Sequence, residues 1–317
     1  MKRVEHGKTR RNGPDAAAAG AVDAGAAGAT ALRTGILFML ATGVLFALLD
    51  TGAKYLTTEL HVLQIVWGRY LFSLALLPLI IGRVNPAHIA RTRRLGLQVV
   101  RALLLLASTS FFFTAIYFIP LADATAISFI SPLLLTVLAI PLLGERVGPR
   151  RWAAVVIGLI GALIIIRPGF GEAGWGTVLA LLTALAYTLY QIATRMLTAT
   201  DPPATIFFYT GIVGTLVMIV VAPFFWTPPG AAGWLVLVAI GLFGGAGHYL
   251  LIQAFVRAPA SALSPFSFIT IIWTALGGYL VFADVPDLPT VAGAAIIIAS
   301  GVFVFYRECV AARADLD

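Results

Sequence analysis

Asp50 and Lys54 sit one helical turn apart in "LFALLDTGAKYL" (45–56), at the end of a run that is otherwise apolar from Ile36 onward. The i, i+4 spacing puts carboxylate and ammonium on one helix face, about 6 Å apart along the axis. Two kinds of chemistry fit. Asp50 can face a central cavity, where it binds a substrate amine or exchanges a proton. It can instead be neutralised by Lys54 within its own helix, with the lysine stem snorkelling outward. Arg69, in "QIVWGRYLF", is the next charge at membrane depth: an anchor for an anionic substrate group, or an ion-pair partner of Asp50 that latches two helices. Arg101 lies near a helix end and is expected to snorkel to lipid phosphates. Charges in such positions are expensive, of order 2.5–3.5 kcal/mol each on insertion scales, and so default to functional candidates.

Polar aromatics form a second set. Tyr187 and Gln191 are four residues apart with Tyr190 beside them, His248, Tyr249 and Gln253 follow on a later helix, and Trp273 on the next. Aromatic walls with a few polar groups suit a cavity for a small organic molecule. Interhelical hydrogen bonding would use the same residues. His248 could also carry a coupling proton, because an unperturbed imidazole titrates near neutrality.

These residues need elements to hold them, and composition says what those are. Of 317 residues 60% are hydrophobic and 11% charged, with a mean hydropathy of +0.97, against about 25% charged in a soluble domain. The chain is therefore expected to be integral to a lipid bilayer. The net charge of +7 does not imply a nucleic-acid partner, because the basic residues are mostly confined to the tail and to short connections. Cys309 is the lone cysteine, which excludes an internal disulfide, a CxxC pair and a thiolate metal site. The four histidines (His6, His61, His88, His248) have no HExxH spacing, and no GxxxxGK[ST] stretch is present. No metal or cofactor is expected. Residues 1–32 begin basic and turn Ala/Gly-rich, with Asp15 and Asp23 and no Leu/Ile/Phe block, so they read as a disordered cytoplasmic tail rather than a targeting peptide.

A membrane helix needs about 20 apolar residues. Division at charge, Gly and Pro clusters predicts an all-α protein of ten such helices, at 35–56, 62–82, 96–118, 121–143, 151–167, 175–196, 204–223, 234–256, 260–282 and 289–306. With a cytoplasmic N-terminus, the inner connections collect Arg83, Arg91, Arg93, Arg94, Arg146, Arg150, Arg151, Arg195 and Arg257, and the tail at 307–317 adds Arg307 and Arg313. Lys54 and Arg167 fall outside. The positive-inside rule then places both termini in the cytoplasm of a cell whose inner membrane holds the protein.

The chain also repeats itself. At a shift of 141 residues, 35–57 lies over 176–198 with six of 23 positions identical, Lys54 on Arg195 and Asp50 on Gln191. At a shift of 139, 115–147 lies over 254–286: Pro120 meets Pro259, "SFIS" meets "SFIT", and Glu145 meets Asp284. The repeats run over 33–168 and 174–306. Each holds five helices, an odd number, so the second must enter the membrane inverted, an arrangement that belongs to secondary transporters.

The stretch "FFFTAIYFIPLADATAISFISPLLLTVLAIPLLGERVGPRRWAAVVIGLIGALIIIRPG" (111–169), with "DLPTVAGAAIIIASGVFVF" (287–305), resembles the EamA-type members of the drug/metabolite transporter superfamily over about residues 34–306. The resemblance implies transport without naming the cargo, since members move amino acids, nucleotide sugars, vitamins and drugs. Asp284 stands for the Leu-Gly-Glu acid, and Ile271 where Pro132 has its counterpart, so the two halves are unequal. The expectation is a secondary transporter, not an enzyme, of a small polar metabolite such as an amino acid or vitamin. Its partners would be that small-molecule substrate, the bilayer, a coupling proton or counter-substrate, and a second copy as a homodimer. A lipid flippase or a membrane-embedded enzyme is the rival reading. The remaining features read as architectural. Gly241 with Gly245, and Ala154, Gly158 and Ala162, allow close helix approach, Pro132, Pro141 and Pro265 kink helices, and Glu145 and Asp284 cap helices or pair with arginines.

Overall fold

A computed structural model of the chain describes residues 14–78, 89–143, 149–166, 174–198, 200–257, 263 and 266–314. Among them are eleven α-helices: α1 (Pro14–Leu56), α2 (Val62–Leu74), α3 (Leu95–Phe118), α4 (Leu121–Ser128), α5 (Ser131–Leu143), α6 (Pro149–Ile166), α7 (Trp175–Thr198), α8 (Pro203–Val221), α9 (Ala231–Arg257), α10 (Ile269–Phe282) and α11 (Leu288–Ala314). A 3₁₀ turn, Ala222–Phe225, extends α8. Five helices are long and apolar enough to cross a membrane, and five shorter apolar ones fill the remaining predicted segments. The chain is a multi-pass membrane protein of two five-helix repeats. Residues 1–13 of the tail, Arg83, Glu145, Arg146, Arg167 and Pro265 lie outside the described residues.

The segment expected at 121–143 is two helices. Pro132 has no N–H to offer Ser128 and its ring crowds that carbonyl, so the chain turns at Phe129–Ile130 between α4 and α5. A second difference lies at the start. Helix α1 begins at Pro14, where a tail without secondary structure was expected. Alanine is the best helix former and proline suits a first helical position, so 14–32 continues the helix that follows.

The repeats interlock. α1 packs chiefly on α9 and α10 of the second repeat, and α7 packs on α3, α4 and α5 of the first. Glycines let the backbones approach: Gly241 lies against Phe72 and Gly245 against Ser73, joining α9 to α2, while Leu237 and Ile240 of α9 fill the spaces over Gly68 and Gly52. α6 and α11, the last helices of the two repeats, meet through Gly161 and Gly293, each facing the other's carbonyl oxygen. Gly158, expected to serve close packing, faces Leu133 of α5.

Contacts gather at both ends of the bundle. At the end where α1 stops, Gln64 and Thr227 exchange two hydrogen bonds (2.8 and 2.9 Å). Trp67, Trp226 and Trp234 cluster there, as amphipathic rings do at a membrane–water boundary. At the opposite end Asp201 accepts from Thr92 (2.5 Å) and Gln98 (2.7 Å), and Tyr209 donates to the Ala90 carbonyl (2.7 Å).

Helix α10 ends with Ala283 in the left-handed region (φ 57°). The Ala283 N–H donates to the Tyr279 carbonyl and that of Asp284 to Gly278, a reversal that delivers Asp284 to Lys54. A Cβ is unfavourable at such a φ. Ala283→Gly is expected to stabilise the fold by about 0.5–1 kcal/mol, read as a higher melting temperature in detergent.

Candidate functional site

Arg69 is the centre of a buried polar cluster. It leaves α2 with only 6% of its surface exposed. Its guanidinium donates to Thr109 Oγ1 on α3 (2.7 Å) and lies 2.9 Å from His248 Nε2 on α9. A guanidinium only donates, so Nε2 must accept and the imidazole carries its hydrogen on Nδ1. Thr109 and His248 are counterparts at the 139-residue shift, so the two repeats clasp this arginine from equivalent positions. Gly244 makes room: a Cβ there would lie 3.4 Å from Arg69 Nε and closer still to Leu49. The His248 ring packs against Phe46 and Tyr190, centroids 4.9 and 6.4 Å away.

Three buried polar atoms around this cluster have no partner: Arg69 Nε, Tyr70 Oη and His248 Nδ1. All three residues line a cavity of about 20 Å³, with Ser73 of α2, Leu105 of α3, Phe207 and Thr210 of α8 and Gly244 of α9 among the other walls. Metabolite sites enclose roughly 300–1,000 Å³. This cavity is therefore more than tenfold smaller than a metabolite site.

Arg101 does not snorkel. It is 1% exposed and turns inward to Thr194 Oγ1 (2.7 Å), Thr210 Oγ1 (2.6 Å), the Ile206 carbonyl (3.3 Å) and Tyr190 Oη (2.9 Å), with its guanidinium over the Tyr190 ring. These partners come from α7 and α8, so Arg101 ties the first repeat to the second. Position along α3 suggested a lipid-facing end. Only the neighbouring helices reveal that the end is covered.

The other predicted residues divide. Lys54 does not pair with Asp50. It pairs with Asp284, beyond α10 in the other repeat, and stands over the Phe282 ring. The chain reversal at Ala283 brings a second carboxylate to Lys54 from outside its own helix. Arg69 does not pair with Asp50 either; Thr109 and His248 each take one of its terminal nitrogens. Among the described residues no donor or cation meets the Asp50 carboxylate at bonding distance, though the Arg69 charge acts on it through space. Asp284 meets a lysine where an arginine was expected. Tyr187 stacks on Tyr190, centroids 5.5 Å apart, and Gln191 lies one turn on from Tyr187, partly exposed. Tyr249 packs on Phe207 and accepts from Gln253 (2.8 Å), which accepts from Arg257 (2.6 Å); this chain runs toward the end of α9, away from the cavity lining. Trp273 stands 39% exposed beside Ile272 and Leu276 and does not reach the cluster.

Sequence reasoning missed Tyr70 and Thr109. Tyr70 adjoins Arg69 in sequence, a signal that could have found it; Thr109 becomes visible only through the repeat register.

This geometry can be set beside known proteins. Residues 33–167, and again 174–306, match the EamA-like transporter family. The chain belongs to that family. Over 260 residues it is 29% identical to an S-adenosylmethionine uptake transporter of Rickettsia prowazekii, covering 82% of this chain and 88% of that one. A riboflavin transporter of Vibrio cholerae is 29% identical over 227 residues, 71% of this chain and 76% of its own. A solved structure titled only "Crystal structure of protein" superposes with a TM-score of 0.63 over 87% of this chain and 96% of its own; at 16% identity it shows the fold alone. The interlocked repeats are thus those of an EamA-like transporter chain.

Proposed function

We propose that this EamA-like protein is a secondary transporter that moves a small polar metabolite across the cytoplasmic membrane by alternating access, both termini in the cytoplasm. The observation that carries the reading is the small cavity at the junction of the two repeats, walled by helices of both and lined by residues that carry unpartnered polar atoms. Two structurally similar halves that enter the membrane in opposite directions can exchange conformations, and the exchange moves the opening of the site from one side to the other. The Lys54–Asp284 pair then closes one end. Relatives named for S-adenosylmethionine and riboflavin make these two compounds the first to test. The sequence carries no phosphate-cradling loop, so a solute gradient, a counter-substrate or a coupling proton supplies the drive. The distribution of arginines supports the orientation. The role is binding and release without covalent chemistry.

The test is uptake of labelled S-adenosylmethionine and riboflavin into proteoliposomes, with and without the same compound preloaded inside. Preloading is expected to accelerate entry of one of them. Proteoliposomes that take up neither, yet scramble fluorescent phospholipid, would replace the reading with a flippase.

A further inference from the structure

Arg101 and Asp201 are buried charges, 1% and 6% exposed, that do not line the cavity. Neither has an ion pair among the described residues. Each is held instead by neutral groups of the opposite repeat. Asp201, between α7 and α8, accepts from Thr92 and Gln98 at the start of α3. The Thr92 hydroxyl accepts in turn from the Arg94 N–H (3.1 Å). One turn along α3, Arg101 divides its nitrogens between two helices. Nε and Nη2 donate to Thr194 and Tyr190 of α7, while Nη1 alone serves α8, through the Ile206 carbonyl and Thr210. These bonds lie along one seam, between α3 and α8. The seam leads to the cavity, where Leu105 of α3 and Phe207 and Thr210 of α8 form part of the wall.

A seam fastened this way can open without stranding a charge. If α8 moves off, Arg101 gives up only the bonds of Nη1 and stays on α7, its guanidinium over the Tyr190 ring. Gln98 Oε1 is buried without a donor, a costly state that water entering the seam would relieve. The opposite end is built differently. At shifts of 141 and 139 residues the counterparts of Asp201 and Gln98 are Leu60 and Leu237, both buried in the apolar core. Thr210 links the seam to the site, because one side chain both walls the cavity and accepts from Arg101. An occupant that displaces Thr210 therefore loosens Nη1. Building on the transporter reading and its orientation, we infer that the α3–α8 seam is the cytoplasmic gate to the cavity, with Arg101 as its catch and Asp201 as the fastening at its mouth.

The test is cysteine labelling of the full-length protein with a membrane-impermeant maleimide, in inside-out and right-side-out vesicles. Leu105, 3% exposed on the cavity wall, carries the reporter as Leu105→Cys on a Cys309→Ser background. Thr210→Val removes the α8 hydroxyl with little change of shape. It is expected to raise labelling from the cytoplasmic face about tenfold, the loss of one bond to a charged group, with no rise from the outer face. Asp201→Asn should act in the same direction by a smaller factor, because its amide oxygen still accepts. Gly96→Ala, on the same helix, should change nothing, since no atom lies within 4 Å of the added Cβ. Arg101→Gln should exceed all of these, and where it does not fold the two near-isosteric variants decide. Labelling unchanged in Thr210→Val, raised equally from both faces, or raised from the outer face alone overturns the proposal. Failure of the transporter reading looks different: no solute exchange in proteoliposomes while the labelling stays one-sided, which leaves the gate standing.

Discussion

Gly293→Leu is expected to prevent recovery of folded protein, and Gly293→Ala to lower its melting temperature markedly. A Cβ at Gly293 would lie 2.5 Å from the Gly161 carbonyl oxygen and from the Ile165 side chain, and one at Gly161 would lie 2.8 Å from the Gly293 oxygen. Backbone cannot swing aside as a flexible side chain can, so α6 and α11 would have to separate. In lipid such helices associate through close packing and not through the hydrophobic effect, so separation removes the source of their affinity. Overpacking of this kind costs about 3 kcal/mol. Gly96→Ala and Gly230→Ala are the controls, because nothing lies within 4 Å of a Cβ at either position. Size-exclusion thermal stability in detergent reads all four variants. A Gly293→Leu protein as stable as the Gly96→Ala control would show that α6 and α11 do not meet this way.

Breaking the Lys54–Asp284 pair should change transport more than fold. The side chains are 15% and 28% exposed, and they join the end of α1 to the end of α10 across the two repeats. Lys54→Met or Asp284→Asn leaves a partly buried charge without its partner, about 2 kcal/mol against the closed arrangement at that end, or roughly thirtyfold in its population. Exchange in proteoliposomes should fall accordingly. The charge-swapped double variant, Lys54→Asp with Asp284→Lys, should recover much of the loss. A swap no better than its single parents would show that the pair is not a latch. Added salt should matter little, because a partly buried pair is poorly screened.

The two variants test different kinds of information in the chain. Hydropathy and helix length were enough to find ten membrane segments, because burial in lipid demands an unbroken apolar run whatever the helix touches. The repeat register was legible for a related reason: duplicated segments meet the same constraints in the same order, and Pro120 with Pro259, or Glu145 with Asp284, retain the spacing. Glycines such as Gly241 and Gly245 announced close approach, and the structure supplies the neighbours, Phe72 and Ser73.

Partners were another matter. Sequence spacing favoured Asp50 for Lys54 because one turn of helix puts them together, yet Asp284, 230 residues on, takes the lysine. Arg101 read as a lipid-facing end residue and is held by Tyr190, Thr194 and Thr210. Arg69 was recognisable as a buried charge, while Thr109 and His248 as its partners were not. By itself the sequence determined that these charges lie within a membrane-spanning bundle of two repeats, because the cost of placing a charge in hydrocarbon is local to each residue. Only the tertiary structure decided which charge meets which group: that depends on how α1 and α7 cross into the opposite repeat, and hydrogen bonds reach about 3 Å however far apart their ends lie in the chain.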